Sequence, residues 1–236
     1  MRSHWAIFSG VTLFIALHLG WFALARADFF YPVCHDLLKI DRVVAEYGPS
    51  NRVRKNFHLT SKAERVRLFS AINRSVHQGG GGLGEIHYFD EEGTDLGALL
   101  TLWDQAHLSQ VALLLSRLKI LGFGWFALWG LMIFFAVKYH LPKPRLLSLI
   151  LRPLVVLLGI IGAVFLVGPG RVFAGLHQLL FPAAQPWFLY YQESLMTLLM
   201  KAPDLFGLIA LQILGLGILI WLGLLTASYL FFKRPI

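Results

Sequence analysis

Four stretches of this chain, residues 3–25, 120–137, 153–170 and 205–232, each run 18 residues or more without a formal charge. A bilayer core about 30 Å thick needs roughly 20 apolar helical residues to cross it. Four windows of that size predict an α-helical polytopic membrane protein. Composition agrees: 57% of residues are hydrophobic and only 14% charged, with mean hydropathy +0.64, a balance that argues against a soluble domain or a disordered chain.

The net charge of +8 matters less than where it lies. Residues 27–118 carry ten Lys/Arg and eleven Asp/Glu, so that segment is close to neutral. Arg2, Lys138, Lys143, Arg145, Arg152, Lys233 and Arg234 flank the apolar windows with no acid beside them. Bases concentrated at span ends are the positive-inside pattern, and no basic cluster on a soluble domain points to nucleic acid.

The expected organisation follows. A first span at 5–26 leaves the cytoplasm, and 27–118 forms a small, mainly helical extracytoplasmic domain. A second span at 119–138 returns to a cytoplasmic loop at 139–152. A third span at 153–170 leads to an extracytoplasmic or interfacial segment at 171–204, and a fourth at 205–232 ends inside. Ala25-Arg26-Ala27 resembles a signal-peptidase site, but the preceding apolar stretch is longer than a usual signal core and reads as a retained anchor. Residues 172–192 are also uncharged, yet contain two prolines and three glutamines. That is poor spanning material, and a fifth crossing would move Lys233 and Arg234 to the outer side.

Within 27–118, Cys34–Glu46 is expected as one short helix ending before Gly48-Pro49. Ser61-Lys62-Ala63-Glu64 is a capping box opening a helix to about His77. Residues 85–90 alternate as a short strand, and a long helical pattern from about Leu99 merges with the second span. The glycines at 79–82 and 84 lack the flanking residues of a phosphate cradle and read as a loop.

The chemistry candidates are histidines. No Cys/His cluster and no HxxxH or HExxH spacing is present, so neither a metal nor any other cofactor is expected. The single cysteine, Cys34, reads as a small buried apolar residue. His18 lies inside the first span. His107, in Trp103-Asp104-Gln105-Ala106-His107, and His177, in Phe173-Ala174-Gly175-Leu176-His177, project from the outer ends of two apolar helices. Imidazole is the natural proton carrier near neutral pH, although interfacial histidines without catalytic duty fit the same pattern. Trp187, Phe188, Tyr190 and Tyr191 follow and suit a headgroup layer.

At these residues the chain is similar to the lipoprotein intramolecular transacylase (Lit) family of bacterial integral membrane enzymes. His107-Leu108-Ser109-Gln110-Val111 resembles that family's His-Met-x-Asp-Val element. Leu176-His177-Gln178-Leu179-Leu180-Phe181 resembles its Phe-His-x-x-Phe-Phe element. Trp187-Phe188, Leu198-Leu199 and Pro203-Asp204-Leu205-Phe206 follow in the family's order. The resemblance covers roughly residues 85–230 and the first span. It departs at Gln110, where the family has Asp, and at Leu176, where it has Phe.

The resemblance implies an enzyme of the bacterial cytoplasmic (inner) membrane with its site on the extracytoplasmic side. Its substrates would be lipoproteins carrying an N-terminal diacylglyceryl-cysteine, and its other partners membrane lipids. It would move the sn-2 acyl chain to the α-amine of that cysteine, giving the lyso-form, with His107 and His177 catalytic. With Gln110 at the position of the family Asp, another group, Asp104 or Glu85, would orient the imidazole, and Gln110 itself stays a supporting candidate. Two other readings are a non-enzymatic membrane scaffold or sensor with an extracytoplasmic binding domain, and a small transporter. The transporter is weakened because only His18 offers an ionisable group within a span.

Overall fold

The structure is a computed structural model that describes residues 2–142, 145–181 and 189–233. Helices α1 (Arg2–Arg26), α2 (Tyr31–Leu37), α3 (Ile40–Tyr47) and α4 (Lys62–His77) are followed by a β-hairpin, β1 (His87–Phe89) and β2 (Asp95–Ala98). Then come α5 (Leu102–Lys138), α6 (Leu146–Val167), α7 (Pro169–Leu180), α8 (Leu195–Leu199) and α9 (Asp204–Lys233). Four helical stretches are long and apolar enough to cross a membrane: His4–Arg26, Leu102–Lys138, Leu146–Val167 and Asp204–Phe232. The chain is a helical polytopic membrane protein. It divides into two units, each discontinuous in sequence. The topological bases Lys143 and Arg234, and the aromatic pair Trp187-Phe188, lie outside the described residues.

One unit holds Met1–Leu24, Leu118–Val172 and Leu211–Ile236. Trp5, Phe8, Val11, Ile15, Met132, Leu149, Trp221 and Leu225 form its buried core. Lipid offers little hydrophobic drive between helices, so close approach and hydrogen bonds matter more. Gly217 lets α9 meet α1, since a Cβ there would lie 2.6 Å from Leu17 Cδ2. Gly122 receives the His18 ring, for a Cβ there would lie 2.1 Å from His18 Nε2. Trp221 Nε1 donates to the Ser9 carbonyl at 3.1 Å. Trp129 Nε1 donates to Thr12 Oγ1 at 3.1 Å, and that hydroxyl donates in turn to the Phe8 carbonyl.

The third apolar helix differs from the expected span at both ends. It starts at Leu146 and carries Pro153 inside it, whereas the charge-free window starts at that proline. A proline has no N–H, so the carbonyl four residues earlier loses its helical donor. That carbonyl is Leu149 O, and Ser9 Oγ donates to it at 2.7 Å. A tertiary contact thus supports a helix through a residue that normally opens one. At the other end Gly168 takes φ +98° and ends α6, and Pro169 starts α7, the usual order of glycine after a helix and proline at the start of the next.

The second unit holds Ala25–Arg117 and Phe173–Ala210. Tyr31 stacks on Phe69 with centroids 4.2 Å apart and donates to the Leu199 carbonyl at 2.6 Å. Ser61 caps α4 by accepting from the Glu64 amide. The Glu64 carboxylate takes the Arg67 guanidinium and the Phe89 amide instead of closing the box.

The single helix expected over Cys34–Glu46 is two helices, broken where Lys39 takes φ +54°. The turn brings Asp41 to the Arg65 guanidinium, which is 4% exposed. β1 has an antiparallel partner, β2, that the sequence reading did not anticipate. Asp90 Oδ1 ties their turn by accepting from the Glu92 and Thr94 amides.

Candidate functional site

Residues His107 and His177 belong to the same unit, and their rings lie 6.1 Å apart between centroids, tilted by 25°. One small polar group could touch both imidazoles. Phe181 closes one side, 4.9 Å from His107 and 5.4 Å from His177. Phe173 packs on His177 at 4.0 Å and on Phe206 at 6.2 Å. Both histidines are half-buried, so the pair sits in an aromatic pocket where water is partly excluded.

The helical repeat sets the His177 tautomer. Its Nδ1 lies 3.0 Å from the carbonyl of Phe173, one turn earlier. A carbonyl can only accept, so Nδ1 carries the proton and Nε2 holds the lone pair of the neutral ring.

The start of α5 is fixed independently. Thr101 and Asp104 form a reciprocal capping box. Asp104 Oδ2 accepts from Thr101 N and Oγ1, both at 2.8 Å, and Thr101 Oγ1 accepts from Asp104 N. Asp104 is fully buried, and its Oδ1 accepts from Ser194 Oγ at 2.6 Å. Ser194 also caps α8 by accepting from the Thr197 amide. Both carboxylate oxygens are therefore spent on holding the turn before His107, and none is spent on an imidazole. Ser194 was not visible as a site residue in the sequence, where it is one of several isolated serines.

The remaining supporting candidates lie as follows. Gln110 is half-buried, one turn beyond His107. Glu85 is exposed at the end of a short 3₁₀ turn, Leu83–Glu85, and among the described residues it forms no ion pair with either histidine. The glycine loop packs closely on α5: Gly80 takes φ +87°, and a Cβ there would lie 3.3 Å from the Ala112 Cβ. His77 and His87 are engaged elsewhere. His77 Nδ1 lies 2.8 Å from the Asn73 carbonyl, and His87 pairs with Asp95 at 2.8 Å.

One cluster has metal-like spacing that the sequence reading did not foresee. Ligand atoms of His35, Asp36 and Asp41 all lie within 4.8 Å of one another. Two cations already occupy it. Lys62 pairs with Asp36 at 2.5 Å, and Arg65 pairs with Asp41. Arg65 Nε donates to His35 Nε2 at 3.2 Å, so the neutral ring carries its proton on Nδ1, facing Asp36 at 3.7 Å and Asp41 at 3.8 Å. A metal on Nδ1 would need the opposite tautomer, which sets two N–H groups against each other. This arrangement reads as an ion-pair network. Burial pushes the His35 pKa down, and the Lys62 hydrogen bond holds the Asp36 carboxyl below its ordinary range.

Fold and site together define a four-span helical membrane protein carrying a paired-imidazole centre. No protein-family model matches the chain, and no curated protein matches it in sequence. Its fold is that of a solved structure, a histidine-to-arginine variant of the membrane-integral lipoprotein intramolecular transacylase Lit from Bacillus cereus. The two align with a TM-score of 0.63 at 16% identity, over 98% of this chain and 90% of that one.

Proposed function

We propose that this chain is a membrane acyltransferase of the lipoprotein intramolecular transacylase kind. It moves the sn-2 acyl chain of a diacylglyceryl-modified lipoprotein onto the α-amine of its N-terminal cysteine. The observation that carries this reading is the His107–His177 pair, 6.1 Å apart, in a chain with the fold of Lit. The product is the lyso-form lipoprotein.

The reaction forms an amide C–N bond and breaks the sn-2 ester C–O bond on one molecule. The amine must lose a proton and the departing sn-2 oxygen must gain one. No water is consumed and no enzyme nucleophile is needed, because nucleophile and ester are already held close together. His107 acts as base toward the amine. His177, whose Nδ1–H is held on the Phe173 carbonyl, donates as the imidazolium through Nε2 to the developing oxyanion and then to the leaving oxygen. The opposite division of roles is chemically equivalent in outcome. Cys34 plays no part: it is buried, with Sγ 3.6 Å from the Phe29 carbonyl.

The positive-inside pattern of the bases flanking the spans supports a topology with both termini in the cytoplasm, and the acyl-transfer reading puts the protein in a bacterial inner membrane. Residues 27–118 and 171–204, which carry the two histidines, then face outward, where lipoproteins are anchored. The test is mass spectrometry of lipoprotein N-termini from cells with and without the protein. Lyso-form is expected only with it. Unchanged N-termini would overturn the proposal.

A further inference from the structure

An open cavity of about 360 Å³ lies in the histidine-bearing unit, apart from the residues that form the imidazole pair. One face of α3 and its cap supplies Lys39, Arg42, Glu46 and Tyr47, and Tyr191 and Lys201 complete it. The spacing of the α3 residues, three and four apart, puts them on one side of the helix. Three bases thus face one acid.

Two of the three bases, Lys39 and Arg42, are not consumed within the protein. Lys201 is held in place, with Nζ 3.2 Å from the Leu38 carbonyl and 3.2 Å from Asp204. Among the described residues, the side chains of Lys39 and Arg42 form no ion pair or hydrogen bond. Lys39 and Lys201 also both hold positive φ, +54° and +41°. Backbone in that region favours glycine, yet the chain puts a lysine at both positions, on the rim of one cavity.

The surroundings indicate the ligand. Lys201 lies three residues before Asp204, where the last membrane-crossing stretch begins. Tyr47 and Tyr191 meet edge to face at 5.3 Å, and such tyrosines concentrate at the membrane–water boundary. We propose that this cavity binds the phosphodiester headgroup of an anionic phospholipid. The Arg42 guanidinium fork fits two phosphate oxygens, Lys39 and Lys201 add charge, and the tyrosine hydroxyls serve headgroup hydroxyls. The site is independent of the acyl-transfer reading.

The test uses the full chain in mild detergent, with its thermal unfolding midpoint as readout. Short-chain phosphatidylglycerol is titrated against short-chain phosphatidylcholine and free glycerol phosphate. Phosphatidylglycerol should raise the midpoint, phosphatidylcholine should not, and glycerol phosphate should act only at far higher concentration. Lys39→Gln with Arg42→Gln should weaken the phosphatidylglycerol effect roughly 30-fold in apparent affinity and leave the lipid-free midpoint unchanged. Lys39→Arg with Arg42→Lys should retain binding, which keeps the test valid if the neutral pair folds poorly. Arg52→Gln with Arg74→Gln removes the same charge from exposed residues outside the cavity and should bind normally. Equal stabilisation by phosphatidylcholine, equal potency of glycerol phosphate, or an equal loss in the Arg52/Arg74 variant would each overturn the proposal.

Discussion

The two units solve the same problem, satisfying buried polar groups, by different means. In the apolar unit the donors are indoles and hydroxyls and the acceptors are mostly main-chain carbonyls, as with Trp221 on Ser9 and Ser9 on Leu149. In the histidine-bearing unit the partners are charged: Arg65 joins His35, Thr60 and Asp41, and Asp104 joins Thr101 and Ser194. A charge in hydrocarbon is costly, so the first unit uses neutral groups. The second uses ions, whose fixed geometry suits a site that must hold two rings in register. Damage to the first unit should therefore lower the amount of folded protein, whereas damage to the second should also alter chemistry.

The sharpest break comes at the histidines. His107→Ala and His177→Ala should each lower lyso-lipoprotein formation at least roughly 10²-fold, with membrane abundance unchanged. The double variant should fall little further, because members of one catalytic unit are not additive. His77→Ala and His87→Ala, in the same unit but bonded elsewhere, are the controls. Quantitative mass spectrometry at matched expression decides it, and wild-type yield from either single variant would remove the site.

Next in size is Asp104→Ala, which strands buried donors on Thr101 and Ser194 and should cost roughly 2 kcal/mol. Thermal unfolding should show that loss together with reduced product per folded molecule, since the turn before His107 is no longer held. Asp104→Asn keeps an oxygen for Thr101 and should recover much of both. An effect on abundance alone would mean that the turn does not position the imidazole.

In the apolar unit, Gly122→Ala sets a methyl against the His18 ring and should cost about 1.5 kcal/mol through forced repacking. Stability in detergent should fall while product per folded molecule stays constant, the reverse of the Asp104 result. A specific loss of turnover would instead give His18 a role in the chemistry.

The smallest effect concerns pH. Burial depresses the His35 pKa, so the folded protein binds fewer protons there than the unfolded chain. Unfolding then takes up a proton below the ordinary histidine value of about 6.5, and stability is lost as pH falls beneath it. The unfolding midpoint should fall between pH 7.5 and 5.5. His35→Gln should flatten that slope, and an unchanged slope would assign it to other groups.

Much of this was legible from the chain alone. The spans are written in runs without charge, which depend on composition and need no partner. The α4 cap and the long helix running into the second span are local patterns too. The histidines were found through the order of short motifs, but their 6.1 Å separation was not, because it depends on how α5 and α7 meet. Three features escaped for one reason. The break at Lys39 serves a contact with Arg65, the continuation of α6 through Pro153 rests on Ser9, and β2 contains Asp95 and Gly97, residues that strands disfavour. The first two are decided by partners distant in sequence and the third by pairing across a turn, and local propensity carries no record of any of them.

The proline in α6 has a bearing on how the molecule is made. A lone α6 would enter lipid with the Leu149 carbonyl lacking a donor, a penalty that no residue of its own relieves. Ser9 lies in α1, more than a hundred residues ahead of α6 in the chain, so its hydroxyl is already in the bilayer when α6 arrives. The order of synthesis therefore supplies the missing donor in time. A chain permuted to begin at α6, with every native contact still available at the end, would have to insert that helix before its partner existed.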